Sequence, residues 1–278
     1  MISKSATERV FAEDAGFGEL RSGNLGTRIA TTAAEIDAVQ ALRYRVFYSE
    51  MGAHPDLDSA ASQRDADAFD DVADHLLVID HAIGPGVEGI IGTYRLIRRG
   101  AAAQLGRFYS AAEYDISMIE AFPGEILELG RSCVDAAYRS RAAMQLLWRG
   151  IAAYVSHHRI DVLFGCASLP GTDPEMLGTE LSYLYSHHLA PPAIRPRARA
   201  ELFVDMRRVD PALLNPRRAL ASLPPLVKGY LRLGGFVGDG AVIDRQFNTI
   251  DVAVVVKTDL ITEKYTKHYQ RDSPDGVW

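Results

Sequence analysis

No stretch of this 278-residue sequence approaches the ~20 consecutive apolar residues that a membrane-spanning helix needs, and its N-terminus lacks a signal-peptide core. Cytoplasm is therefore the expected compartment, with peripheral contact to the cytoplasmic membrane left open. There are two cysteines, Cys133 and Cys166, each in an apolar, strand-like run. With two thiols and no metal-ligand spacing, neither a disulfide framework nor a metal site is expected. A formal net charge of −6 argues against a nucleic-acid binder. There is no internal repeat. Glycines 234, 235, 238 and 240 lack the strand–turn–helix setting of a dinucleotide fingerprint and read as turns where backbones pass closely. What is present is ordinary for a globular chain: 47% hydrophobic and 24% charged residues, with length enough to bury a core.

Residues 1–29 are small, polar and without steady period, which predicts a flexible leader. Residues 30–262 read as a single domain and 263–278 as a polar tail. Thr32 and Glu35 have capping-box spacing, and Ile36, Val39, Leu42 and Val46 follow at helical intervals, so a helix is expected up to about Met51 and Gly52. Its other face carries Arg43, Arg45 and Tyr48. Between Asp56 and Asp74 lie seven aspartates and one arginine, Arg64. This is either a solvated acidic loop or, through Asp67, Asp70 and Asp71, the negative mouth of a pocket for a cationic substrate. HLLVID (75–80) and GIIGTYRLI (89–97) read as two strands joined by a Gly-Pro-Gly turn. His75 and Asp80 have the H-x4-D spacing of some acyltransferases. Strand positions five apart face opposite sides, so these two cannot cooperate.

From Ile126 to Arg159 an apolar strand with a kink at Gly130 leads through a basic turn to a helix. The turn carries Arg139 and Arg141, and the helix places Ala143, Leu147, Ile151 and Tyr154 on one stripe. Strand, basic turn and helix N-terminus together suit an anion, although many such crossovers bind nothing. VLFGCA (162–167) and DVAVVV (251–256) read as further buried strands. Gly171 to His188 reads as helical, with Tyr183 and Tyr185. The region of about 190–226 is rich in Arg and Pro, with seven arginines against three acids from Pro191 to Leu226. The fold class expected is α/β (α+β): a central mixed, mostly antiparallel sheet flanked by helices, with an inserted helical and loop region after the fifth strand.

Several of these pieces together resemble one known family. RVFYSEMGA, GTYRL, FYSAAEYD, ELGRSCV, LFGCASLPGTDP, LPPLVKGYLRLGG, GDGAVID and FNTIDV are spread from about Ala41 to Val256. They are similar to the GNAT-type acyltransferases, to the branch that includes acyl-homoserine-lactone synthases, and more narrowly to the ornithine N-acyltransferases. The resemblance implies a GNAT fold. It implies transfer of a fatty acyl group, usually 3-hydroxylated, from acyl carrier protein to the α-amine of ornithine, giving lyso-ornithine lipid. Acyl carrier protein and ornithine would be the partners and an acyl-phosphopantetheine the donor, with no bound cofactor. One alternative is an acyl-homoserine-lactone synthase, against which stand the extra length after Pro170 and the missing tryptophan near Met51. The other is a non-catalytic acyl-carrier or lipid-binding module. Where GNAT turns are usually Gly-rich this chain has Arg139-Ser-Arg-Ala-Ala, which hinders close approach to a pyrophosphate and agrees with a carrier-bound donor.

Aminolysis of a thioester needs a deprotonated amine, a site for the oxyanion and a proton for the leaving thiol. Glu128 is the expected base, directly or through a water, its pKa raised by burial; the alternative is a structural ion pair with Arg131. A bulge at Gly130 would bring both to one cleft and free an N–H for the oxyanion. Asp70 and Asp71 are expected to hold the side-chain ammonium, and Arg43 or Arg95 the carboxylate. The resemblance matches Arg43, Asp70, Arg95, Glu128 and Arg131 to the polar cluster of the homoserine-lactone synthases. Tyr183 or Tyr185 would protonate the thiolate, unless both simply pack their helix. Arg139 and Arg141 would meet the phosphopantetheine phosphate. The arginines from Arg195 to Arg218 would dock the acidic carrier protein or rest on anionic lipid.

Overall fold

Thr32 caps the first helix, α1 (Ala33–Tyr44), by accepting the Glu35 N–H while the Glu35 side chain accepts from the cap backbone, so the predicted capping box forms. The helix runs on as a π-helical segment, Arg45–Glu50. The computed structural model describes residues 17–84, 86–139 and 141–261, without the side chain of Arg141. Its strands are β1 (Leu20–Ser22), β2 (Leu25–Ile29), β3 (Asp74–Asp80), β4 (Ile90–Arg98), β5 (Tyr114–Asp115), β6 (Glu125–Val134), β7 (Ile160–Pro170), β8 (Arg197–Ala198), β9 (Phe236–Asp244) and β10 (Thr249–Lys257). The remaining helices are α2 (Leu57–Ser62), α3 (Arg99–Gln104), α4 (Ser117–Glu120), α5 (Arg141–His157), α6 (Gly178–His188), α7 (Pro216–Ser222) and α8 (Pro225–Arg232).

The strands form one sheet in the order β1-β2-β3-β4-β6-β7-β10-β9-β8-β5. Pairing is antiparallel except for β6 with β7 and β8 with β9. Side chains alternate across the sheet. Leu76, Leu127, Leu163 and Val254 pack on the side covered by α5 and α8. Ile97, Ile126, Phe164 and Val255 pack on the other side, which α1 shares through Leu77 and Ile79. The stripe read from the sequence as the inner face of α5 is buried, with Ala143, Leu147, Ile151 and Tyr154 each at most 2% exposed.

One discontinuity matters for function. β6 and β7 pair in parallel from Glu125 and Ile160 to Glu128 and Phe164, and there the register ends. Gly165 allows the crossing at that point, since a Cβ on it would collide with the Leu129 carbonyl oxygen. Beyond it the two strands part.

Two expectations change. Residues 20–29, assigned to a flexible leader, form β1 and β2. These strands are too short to show a period in sequence and are held by pairing with β3, which buries Thr27 and Ile29. Residues 1–16 and 262–278 lie outside the described residues. Of the four glycines read as turns of close approach, Gly234 stands in a turn at φ 85° and Gly235 and Gly238 lie where a Cβ would come within 2.7 and 2.8 Å of the Tyr230 and Pro196 carbonyl oxygens, but Gly238 and Gly240 belong to the strand β9 rather than to a turn. The Arg/Pro-rich region is packed down, with Ile194, Ala198, Met206, Ala219 and Leu223 buried. Among the described residues no helix is long and apolar enough to cross a membrane.

Candidate active site

The two-residue period decides which polar groups meet. The parity that buries Ile97, Ile126, Phe164, Val242 and Val255 on the α1 side puts Arg95, Glu128, Cys166, Asp244 and Asp251 on that same face. Their strands, β4, β6, β7, β10 and β9, are neighbours in the sheet. All five border a cavity of about 420 Å³ that opens where β6 and β7 part. Its other lining is largely apolar, with Val46, Phe47, Met51, Met144, Pro224 and Leu226.

Beside the cavity three arginines are matched by three aspartates. Arg43 is fully buried and bonds Asp65 through Nε at 2.7 Å and Asp70 through Nη2 at 2.7 Å. Arg95 reaches Asp67 at 2.6 Å and Asp70 at 3.0 Å. Arg131 reaches Asp65 at 3.1 Å and lies over the rings of Tyr109 and Phe247. Burial alone would push Asp70 up. The charge and hydrogen bonds of Arg43, with Arg95, outweigh it and hold the carboxylate well below its usual range. Arg43 and Asp70, expected to touch substrate, are thus committed to each other, and neither borders the cavity. Asp71 is exposed at the end of the 3₁₀ turn Ala68–Asp71 and is also outside the lining.

Glu128 is 2% exposed, and its oxygens are already in use. Oε2 accepts the Tyr109 N–H at 2.7 Å, and Oε1 accepts the Ser110 N–H at 2.6 Å together with the Ser110 hydroxyl. Burial raises its pKa against those hydrogen bonds. The alternative ion pair with Arg131 is not made; the side chain anchors the 106–113 loop. A bulge does occur on β6, where Arg95 pairs with Gly130 and Thr93 with Cys133. Arg131 takes the left-handed conformation there, at φ 51°.

Three carboxylates that the sequence reading passed over come together, two of them, Asp244 and Asp251, on the far wall and Glu113 beside them. Glu113, Asp244 and Asp251 each offer an oxygen, all within 4.8 Å of one another. Burial, and then the charge of Asp251, pushes Glu113 up to about 7. Burial likewise pushes Asp251 up to about 6, against hydrogen bonds from Thr249 and Ser168. Cys166 Sγ lies 3.4 Å from Glu113 and 3.5 Å from the Ser110 hydroxyl, and burial among these acids raises its thiol well above the usual range. An aspartate opening the apolar run DVAVVV was the signal available in sequence. Its partners lie 138 and 7 residues away, a separation that no local pattern bridges.

Tyr183 stacks on His187 and hydrogen-bonds His188 at 3.2 Å, while Tyr185 lies under Arg207. Neither borders the cavity; the phenols that do are Tyr94 and Tyr109. Arg139 lies at the cavity with its side chain 48% exposed and ion-paired to Glu50. The Arg141 side chain, its expected companion, lies outside the described residues.

A GNAT acetyltransferase domain model matches residues 42–149. The L-ornithine N(alpha)-acyltransferase of Rhizobium meliloti is 46% identical over 256 residues, covering 91% of this chain and 86% of that protein. The chain belongs to the L-ornithine N(alpha)-acyltransferase family. A second member of that family, from Rhodobacter capsulatus, is 46% identical over 246 residues, or 88% of this chain and 94% of its own length. Membership makes the chain an acyltransferase with a GNAT fold. Among solved structures, the CoA-dependent acyl-homoserine lactone synthase BjaI aligns with 88% of this chain and 85% of its own, at 11% identity and a TM-score of 0.49.

Proposed function

We propose that the protein joins a fatty acyl group, usually 3-hydroxylated, to the α-amine of ornithine, taking it from the phosphopantetheine arm of acyl carrier protein and giving lyso-ornithine lipid. The parting of β6 and β7 beyond Glu128 and Phe164 carries this reading. It opens a cavity with an apolar wall for an alkyl chain and a polar wall for an amino acid. The names of the 46% identical relatives supply ornithine as the acceptor.

In the reaction the α-ammonium first loses a proton. With both Glu128 oxygens engaged, water in the cavity is the acceptor we assign. The amine nitrogen attacks the thioester carbonyl, the C–S bond breaks, and the thiolate takes up a proton. The edge of β6 past Glu128 has no partner strand on the β7 side, so its N–H groups are suited to the oxyanion. Tyr109 is the phenol suited to the thiolate, its oxygen held by Arg131 at 3.2 Å. Arg95 is suited to the substrate carboxylate. Arg139, with the first N–H groups of α5, suits the phosphate of the pantetheine arm.

For carrier docking we favour α7. Arg197, Arg207 and Arg208 are ion-paired within the chain, and Arg195 and Arg199 donate to the Ala190 and Ala111 carbonyls. Arg217 and Arg218 are exposed on α7, and six residues later the chain supplies Pro224 to Leu226 to the cavity wall. An acidic carrier seated there would present its arm at the opening, and an anionic lipid surface on the same face would receive the acylated product.

The reading is tested by incubating the protein with 3-hydroxyacyl carrier protein and ornithine and recording the amide by mass spectrometry. Product with ornithine supports it; product only with S-adenosylmethionine as acceptor replaces it with homoserine-lactone synthesis.

A further inference from the structure

The two acidic groupings at this site are not alike. Asp65, Asp67 and Asp70 are balanced by Arg43, Arg95 and Arg131. Glu113, Asp244 and Asp251 each place an oxygen within 4.8 Å of the others, yet the ion pairs among the described residues include none of them, and the arginine charge that reaches Glu113 and Asp251, that of Arg131, is itself paired with Asp65 and Asp67. Asp251 is 7% exposed, and it borders the cavity together with Asp244. Grouped, poorly hydrated carboxylates must take up protons or meet a cation, and the open approach is from the cavity. A second observation comes from the other wall. Arg95 is 1% exposed and borders the same cavity, and its Nε has no hydrogen-bond partner. The carboxylates do accept hydrogen bonds, from Thr249 on Asp251, from the Gln246 and Phe247 N–H groups on Asp244 and from the Cys166 thiol on Glu113, but none of these donors carries a charge. An unmatched donor on one side and carboxylates without a cation on the other suit a ligand that carries both a carboxylate and an ammonium.

We propose that Glu113, Asp244 and Asp251 form the subsite for the acceptor's side-chain ammonium and select a dibasic amino acid over a neutral one. The proposal rests on the acyl-transfer reading above. The N–H donors of a primary ammonium match one oxygen from each carboxylate. Holding the side-chain nitrogen here, with the carboxylate towards Arg95, leaves the α-nitrogen between them and nearer the gap between β6 and β7. A neutral side chain of the same length would leave the carboxylates unmatched, and that penalty is the source of selectivity.

The test compares ornithine with L-norvaline, which has the same carbon skeleton without the ammonium. The wild type favours ornithine in kcat/KM by on the order of 100-fold. In Asp251→Asn and in Glu113→Gln that ratio falls by on the order of 10-fold or more, mainly through KM for ornithine. Asp71→Asn, at an exposed position away from the cavity, keeps the ratio. Variants that melt like the wild type and retain its ratio overturn the proposal. Calorimetric titration of the wild type with 1,4-diaminobutane needs no acyl donor and serves if a variant fails to fold. Diamine binding supports the subsite. No binding, or stabilisation by Mg²⁺ or Ca²⁺ with none by diamine or ornithine, overturns it and makes the cluster a metal site or an empty one. A wild type that acylates neither amino acid defeats the acyl-transfer reading, and the diamine titration then decides the subsite on its own.

Discussion

Glu128 accepts the Ser110 backbone N–H at 2.6 Å, and through that bond a residue on β6 fixes the loop that carries Tyr109 to the cavity and Glu113 beside Asp251. With the Tyr109 N–H and the Ser110 hydroxyl on the same carboxylate, three of its about four acceptor sites are filled and holding the loop is its main task. Replacing Glu128 with Gln turns one acceptor into a donor facing a donor. Charge-assisted hydrogen bonds in buried sites contribute about 1.5–3 kcal/mol each. Glu128→Gln is therefore expected to lose about 3 kcal/mol in denaturant unfolding, with turnover falling in step as the loop loosens. A variant of unchanged stability and abolished turnover would make Glu128 the proton acceptor after all.

Arg43 is buried between Asp65 and Asp70. Removing one partner of such a pair leaves a charge that the interior cannot solvate, at a typical cost of about 3–5 kcal/mol. Arg43→Met is expected at the low end, about 3 kcal/mol, because Arg95 and Arg131 still face the aspartates. Substrate KM in the surviving folded fraction should stay near the wild-type value. A large KM change with intact stability would return Arg43 to the substrate site.

The raised carboxyls give a pH signature. Glu113 is pushed from its ordinary 4.5 up to about 7, and Asp251 from 3.8 up to about 6. A folded-state pKa raised above the unfolded value adds stability that is full below the unfolded pKa and is lost as pH rises through the folded one. The free protein should accordingly lose stability between about pH 3.8 and 7 through these groups, and the double variant Glu113→Gln/Asp251→Asn should flatten that fall. Affinity for ornithine should move the other way, with KM dropping as the carboxyls ionise. Melting curves and KM from pH 5 to 8 check both signs.

Arg217 and Arg218 are expected to meet the carrier protein. Reversing both to Glu should raise KM for acyl carrier protein by on the order of 10-fold, more steeply at low salt, and leave KM for ornithine alone. An unchanged carrier KM would place the docking face elsewhere.

Much of the fold was legible because its signals are local. The Thr32–Glu35 cap, the α5 stripe and the β3–β4 hairpin each rest on residues close in sequence. β1 and β2 were missed because strands this short take their stability from a partner, which local sequence does not display. β9 was missed because its glycines serve close backbone approach, and in sequence that looks like a turn. At the site, Glu128, Arg95 and Arg131 were singled out from charges inside apolar runs. Their pairing was not foreseen, since it depends on which strands are neighbours. Asp251 sits in an apolar run in the same way, yet it gains meaning only beside Glu113 and Asp244, which a different strand and a loop supply.

The position of the amide in the product tests the central claim most directly. Ornithine offers two amines to one thioester, and the account holds the side-chain ammonium at Glu113, Asp244 and Asp251 while the α-amine faces the gap between β6 and β7. Fragmentation of the product formed from 3-hydroxyacyl carrier protein and ornithine should place the acyl group on the α-nitrogen alone. An acyl group on the side-chain nitrogen, or an equal mixture of the two, would contradict it.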